Sequence, residues 1–171
     1  VYRARGLVYA KLGQYRRAMN DYTRSLELDD NAANILSRRG WAYILHGNDL
    51  AVRDFERAVK LNPENADSYN GLGYAQVLDG KVKEAVTNAR TAVRLAEPQL
   101  ASQGPQAWLL LYNAACILAQ ATARASEEDA GEYASEATEL LRRAVGVAGT
   151  YRAPTVRGNI ETDSALSPIR N

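Results

Sequence analysis

The chain has 171 residues, of which 46% are hydrophobic and 24% charged, with a formal net charge of +1. That balance suits a helical domain of ordinary size and removes the electrostatic case for nucleic acid or anionic membrane as a partner, since both need a concentrated positive field. No apolar run approaches the roughly 20 residues that cross a bilayer, and the single cysteine cannot close an internal disulfide. Along the chain, Gly6-Leu7-Val8-Tyr9 with Gly13 recurs as Gly40-Trp41-Ala42-Tyr43 with Gly47, and then as Gly73-Tyr74 with Gly80. The steps are 34 and 33 residues, a period that means stacked structural repeats.

Each unit has a second half that also repeats. Ala18, Tyr22, Ser25 and Leu28 correspond to Ala51, Phe55, Ala58 and Leu61, and then to Ala85, Ala89, Ala92 and Leu95. A unit is therefore a pair of helices. Small residues stand where the two helices approach, an aromatic fills the space between them, and Gly13, Gly47 or Gly80 ends the first helix in a left-handed cap. Pro63 and Pro98 are placed to close the second and third units, because proline suits a break between helices; the first unit has Asp30 at that place.

A fourth, altered unit follows, with Leu111-Tyr112-Asn113-Ala114-Ala115-Cys116 as its first helix and Ala137, Leu141, Ala144 and Val145 in its second. The extra length between them is expected to extend both helices, given the Ala-rich run after Leu111 and a capping pair in Ser126 and Asp129. After Gly149 the pattern breaks at Thr150-Tyr151-Arg152-Ala153-Pro154. Val156, Ile160, Leu166 and Ile169 are then expected to cap the open face of Leu140, Leu141, Ala144 and Val145, with Val156 and Ile160 turned inward by one short helix.

These residues resemble the tetratricopeptide repeat (TPR), in which Trp/Tyr, Leu-Gly, Tyr, Ala, Phe/Tyr, Ala and Pro hold set places. Tyr69, Leu72, Gly73, Gly80, Ala85, Ala92 and Val93 fit in the third unit, whereas Arg39 stands in the second where Leu is usual. The resemblance implies an all-α, right-handed solenoid of antiparallel helix pairs. It would have about four units, at 1–31, 32–64, 65–98 and 105–149, and a capping segment at 150–171. The fourth unit and the tail through Thr162–Arg170 more softly resemble C-terminal repeat regions of bacterial multidomain proteins, some of which carry a Ser/Thr kinase domain.

Chemistry points away from catalysis and from a cofactor. Cys116 and His46, the pair a thiol nucleophile would need, are about two repeats apart. Gly71-Leu72-Gly73 lacks the strand and third glycine of a phosphate cradle, no metal-ligand cluster is present, and the acidic residues Glu127, Glu128, Asp129, Glu132, Glu136 and Glu139 read as a solvated helix face. What stacked helix pairs offer is a concave wall built from their first helices. Its inward places hold Arg3, Leu7 and Lys11; then Asn34, Ser37, Arg38, Trp41 and Leu45; then Asp67, Asn70, Tyr74 and Leu78; then Tyr112, Asn113 and Cys116. Trp41 and Tyr74 flanked by Arg38 and Asn70 form an expected peptide-binding patch. The alternative for Trp41 is packing between repeats.

Some family members clamp the terminal carboxylate of chaperone tails with Lys, Asn and Arg. Here Leu7, Arg38, Asp67 and Gly71 take those places, which disfavours such a ligand, while Arg3, Lys11 and Arg38 favour an acidic or mixed aromatic-acidic peptide. The expected function is a non-catalytic, cytoplasmic interaction scaffold. Alternatives are a self-association module and a substrate-recruiting or regulatory region of a kinase. An RNA-reading array is disfavoured, because Leu7, Trp41, Tyr74 and Cys116 form no regular code. Val1 falls within the pattern of a first helix, which points to a piece of a longer protein.

Overall fold

The computed structural model describes residues 1–29, 31–47, 50–100 and 107–169. Asp30, the start of the fourth unit at residue 105, and Arg170 lie outside the described residues. Helices follow one another as α1 (Tyr2–Lys11), α2 (Tyr15–Leu28), α3 (Ala33–Leu45), α4 (Ala51–Leu61), α5 (Ala66–Leu78), α6 (Val82–Leu100), α7 (Ala107–Thr122) and α8 (Glu127–Thr162), ending in a 3-10 helix at Ser164–Ile169. Among the described residues there is no strand. Each helix packs on the next, and α3, α5 and α7 also touch in turn, so the first helices form one wall of a solenoid. The fold is an all-α superhelix of stacked helix pairs.

The glycine period explains the joints. Gly13, Gly47 and Gly80 adopt φ of 69°, 73° and 78°, closing α1, α3 and α5 in the left-handed region that only glycine enters at low cost. A second set of glycines makes room for aromatics. Tyr22 and Phe55 are fully buried, and a Cβ on Gly6 or Gly40 would stand 2.8 Å or 2.7 Å from their rings. A Cβ on Gly71 would press still closer to Phe55. Helix packing therefore accounts for Gly71.

Proline departs from the expected punctuation. Pro63 follows α4, but Pro98 lies inside the last turn of α6, which runs on to Leu100. Pro98 and Arg94, whose carbonyl loses its partner, are both exposed, and the helix ends two residues later. Beyond Gly149 the chain does not break into an irregular segment either. Gly149 kinks α8 with φ 64° and ψ 179°, and the helix resumes through Pro154 to Thr162.

Small residues hold the crossings. Ala51 is 2% exposed and Ala85 0%; the Ala85 carbonyl faces Gly73 so closely that a Cβ there would meet it at 2.9 Å. Ala85→Leu is expected to overpack this contact and lower stability by about 1–3 kcal/mol in urea denaturation. An unchanged midpoint would remove Ala85 from the helix crossing.

Charge pairs repeat with the same period. Arg5 donates to Asp21 at 2.7 Å and 2.8 Å, and Arg39 donates to Asp54 at 2.7 Å and 2.8 Å, both bidentately. Arg39 thus replaces the usual leucine with a guanidinium fixed by Asp54, by the Thr23 hydroxyl at 3.0 Å, and by stacking over Tyr43. The acidic face of α8 is tied to α6 in part: Arg90 donates to Glu132 and Glu136, and Arg143 to Glu97. These pairs are largely exposed, so each contributes little.

Candidate functional site: a cavity on the concave wall

Between α1, α3 and the start of α5 the wall opens into a cavity of about 310 Å³. Leu7, Asn34, Ser37, Arg38, Trp41, Leu45 and Asp67, all inward by repeat register, line it together. Ala10, Tyr15, Tyr22, Ala42 and Asn65 complete it. Arg3 and Lys11 are exposed on α1 outside this lining, and Leu78 opens instead on a neighbouring apolar crevice with Ile44, Val52 and Ala75.

Trp41 is half-buried and serves both packing and surface. Its ring meets Phe55 edge-on at 5.5 Å and Tyr74 at 6.2 Å, while its indole N–H donates to Asp67 Oδ2 at 3.2 Å. Asp67 is set by the local fold of α5: Asn65 caps that helix, its side-chain oxygen accepting from the Asp67 and Ser68 N–H groups. Burial pushes the Asp67 carboxyl above its usual range, against the opposing pull of the Trp41 indole and Arg38. A ligand N–H or cation would relieve that desolvation.

Tyr22 also lines the cavity. The Tyr22 hydroxyl is buried with no hydrogen-bond partner among the described residues, and burial raises its ionisation above the usual value. Arg38 is near enough to lower it in part, yet its own side chain is exposed at the cavity rim. The cavity therefore brings a guanidinium, two amides and a half-buried carboxylate to an aromatic wall. That set can bond the backbone and charged side chains of a peptide.

Two expected groove residues are placed elsewhere. Asn70 is 0% exposed and its amide donates to the Leu110 carbonyl at 3.0 Å, so it joins α5 to α7 rather than facing a ligand. Tyr112 is 5% exposed and its hydroxyl donates to Asp163 Oδ2 at 2.6 Å. Ser37 lines the cavity, but its hydroxyl is engaged by Ser68 at 2.6 Å. The common reason is geometric: these places face the next first helix as well as the groove. Tyr74 and Asn113 remain half-buried beside this region.

The tail covers the rest of the α7 wall. Gln120 donates to the Ala165 carbonyl at 2.7 Å, and Cys116 lies 3.9 Å from Asp163. Burial and then Asp163 push the Cys116 thiol up to about 12, which leaves it a packed group with no nucleophilic character at neutral pH. Val156 and Leu166 are fully buried in one cluster with Leu140, Leu141 and Ala144, and Ile160 packs against it. Among the described residues, no helix is long and apolar enough to cross a membrane.

Stacked helix pairs with a lined concave wall define a helical-repeat protein of the kind that offers an extended surface. Family profiles identify the repeats, one for the tetratricopeptide repeat over residues 1–32 and one for the TPR repeat over residues 48–80. The chain is a TPR protein. It is similar to human Superkiller complex protein 3, with 32% identity over 117 residues, covering 66% of this chain and 7% of that relative's length. Among solved structures, the first TPR of Spaghetti bound to an HSP90 peptide is 26% identical, with a TM-score of 0.54 over 55% of this chain and 75% of that one. YrrB, described as a TPR protein with an unusual peptide-binding site, shares the fold at 21% identity, with a TM-score of 0.59 over 98% of this chain and 80% of that one.

Proposed function

We propose that the chain is a non-catalytic interaction scaffold that binds an extended segment of a protein partner in the cavity between α1, α3 and the start of α5. One observation supports the reading: the exposed Arg38 guanidinium and the half-buried Asp67 carboxylate, whose pKa burial raises, line one cavity walled by Trp41. Partly buried charges are costly unless bonded, so a ligand completes the site. The peptide complex of Spaghetti supports peptide recognition as the general mode. The chaperone-tail form of it is disfavoured, because Gly71 lies against Phe55 and Asp67 is taken up by Trp41.

The favoured segment carries an acidic side chain for Arg38, and offers a main-chain or basic N–H to Asp67. Nucleic acid is disfavoured by the near-zero net charge, and a cytoplasmic setting suits a lone thiol used for packing. Self-association, or recruitment beside a bacterial kinase, has no specific observation in its favour.

A library of labelled acidic-aromatic peptides titrated against the protein tests this reading. Trp41→Ala and Arg38→Glu are each expected to weaken the selected peptide by about 2 kcal/mol, roughly thirtyfold, while helicity is unchanged. Peptides that bind both variants as tightly as the parent would place the site elsewhere.

A further inference from the structure

Two of the contacts of the tail on α7 come from the register places that join one first helix to the next. Trp41 on α3 donates to Asp67 at the start of α5, and Asn70 on α5 donates to a main-chain carbonyl of α7. In repeat register Cys116 stands at the place of Trp41 and Tyr74, Tyr112 at that of Ser37 and Asn70, and Gln120 at that of Leu45 and Leu78. On α7 these three side chains meet Asp163 and the Ala165 carbonyl. Asp163 also caps its own turn, accepting from the Ala165 N–H at 2.8 Å, and Leu166 is fully buried. The seat thus reads a carboxylate, a main-chain carbonyl two residues on, and an apolar side chain three residues on.

We infer that the α7 surface of Tyr112, Cys116 and Gln120 is a docking site for a helical turn of the pattern Asp-x-Ala-Leu. Residues 163–166 occupy it in cis, and a partner segment of that pattern reaches it when they lift. The inference rests on the concave wall being the binding face of the chain, of which this seat is the continuation. A second copy's α1 does not fit, because Tyr2–Lys11 carries no acidic residue. The liftable piece is short: Ser164–Ile169 is a 3-10 helix, a geometry poorer in hydrogen bonding than α, and Ser164 and Ser167 are exposed. Val156, fully buried upstream, keeps the rest of the tail anchored. Tethering holds the occupant at high effective concentration, so it lowers the apparent affinity of a rival by the fraction of time the seat is open.

The test uses the full chain with Asp163→Ala and Leu166→Ser, which removes the two anchoring side chains of the occupant and leaves Tyr112, Cys116 and Gln120 in place, and a fluorescein-labelled peptide with the sequence of residues 159–169. Anisotropy should show binding at least about tenfold tighter than to the parent. Adding Tyr112→Phe and Gln120→Ala to the emptied chain should abolish it. Equal binding to parent and emptied chain, or binding that survives the seat substitutions, overturns the proposal. Hydrogen exchange on the parent decides independently of how the variants fold. Amides of 164–167 and 169 exchanging well before those of α7 support a liftable occupant, and protection equal to α7 makes the segment a permanent part of the core and overturns it. Trp41→Ala reports on the other cavity, so either reading can fail while the other stands.

Discussion

Phe55→Ala is expected to cost about 3–5 kcal/mol, a large share of the stability of a domain this size. The ring is 0% exposed, meets Trp41 edge-on at 5.5 Å, and occupies a slot that Gly40 and Gly71 leave open on two successive first helices. Two repeats therefore share one wedge. In a solenoid each repeat is held only by its neighbours, so losing the wedge removes packing within the second unit and between the second and third together. Urea unfolding followed by circular dichroism checks this, and splitting into two transitions would be the sign that the units have uncoupled. A loss below about 1 kcal/mol would mean that the core collapses to fill the space, contrary to the slot geometry. Gly71→Ala attacks the same contact from the other side by overpacking, and Phe55→Leu should recover part of that loss.

Much of this was legible because the repeat imposes one environment several times over. The spacing of Gly6, Gly40 and Gly73 located the close approaches, and Gly13, Gly47 and Gly80 the turns, since a backbone at positive φ leaves glycine as the low-cost choice. Gly71 carried no periodic signal; its counterparts are Ala4 and Arg38, and only the depth of the Phe55 ring explains it. Pro98 differs from the expectation for a physical reason, because a proline at an exposed position near the end of a helix forfeits one hydrogen bond and need not end it. The Arg5–Asp21 and Arg39–Asp54 pairs went unread although both residues recur at the repeat spacing.

Register alone brought seven of the expected inward residues to one cavity, but it could not tell a groove position from a contact between first helices. Asn70 and Tyr112 share the inward stripe with Trp41, yet Asn70 ends on a neighbouring carbonyl and Tyr112 on the tail. Tyr22 was assigned to the core by its place in the second helix. Its ring is there, and nothing in the spacing shows that the same side chain also lines the cavity. Asn65 had a readable signal, standing after Pro63 and before Ala66-Asp67-Ser68 as a helix cap, and through that cap it fixes Asp67.

Asp54→Ala should be strongly destabilising even though it deletes one small polar side chain. Arg39 is 18% exposed and Asp54 9%, so the guanidinium left behind is mostly out of water, with the Thr23 hydroxyl and the face of Tyr43 as its remaining contacts. Breaking a buried pair by removing one partner costs about 3–5 kcal/mol, and the partial exposure of Arg39 places this one near the lower end, about 3 kcal/mol. The first repeat supplies the control. Arg5 and Asp21 make the same bidentate contact at the same distances, but Arg5 is 52% exposed and can turn into solvent when its partner is removed. Asp21→Ala should therefore cost only a small fraction of what Asp54→Ala does, because burial, not contact geometry, sets the penalty. Replacing both charges in the second repeat, Arg39→Leu with Asp54→Ala, puts leucine back at its usual place in the repeat and should recover most of the loss. Urea denaturation of the three variants decides the matter: similar losses for Asp21→Ala and Asp54→Ala, or a double variant no more stable than Asp54→Ala, would show that the unpaired cation is not what destabilises the second repeat.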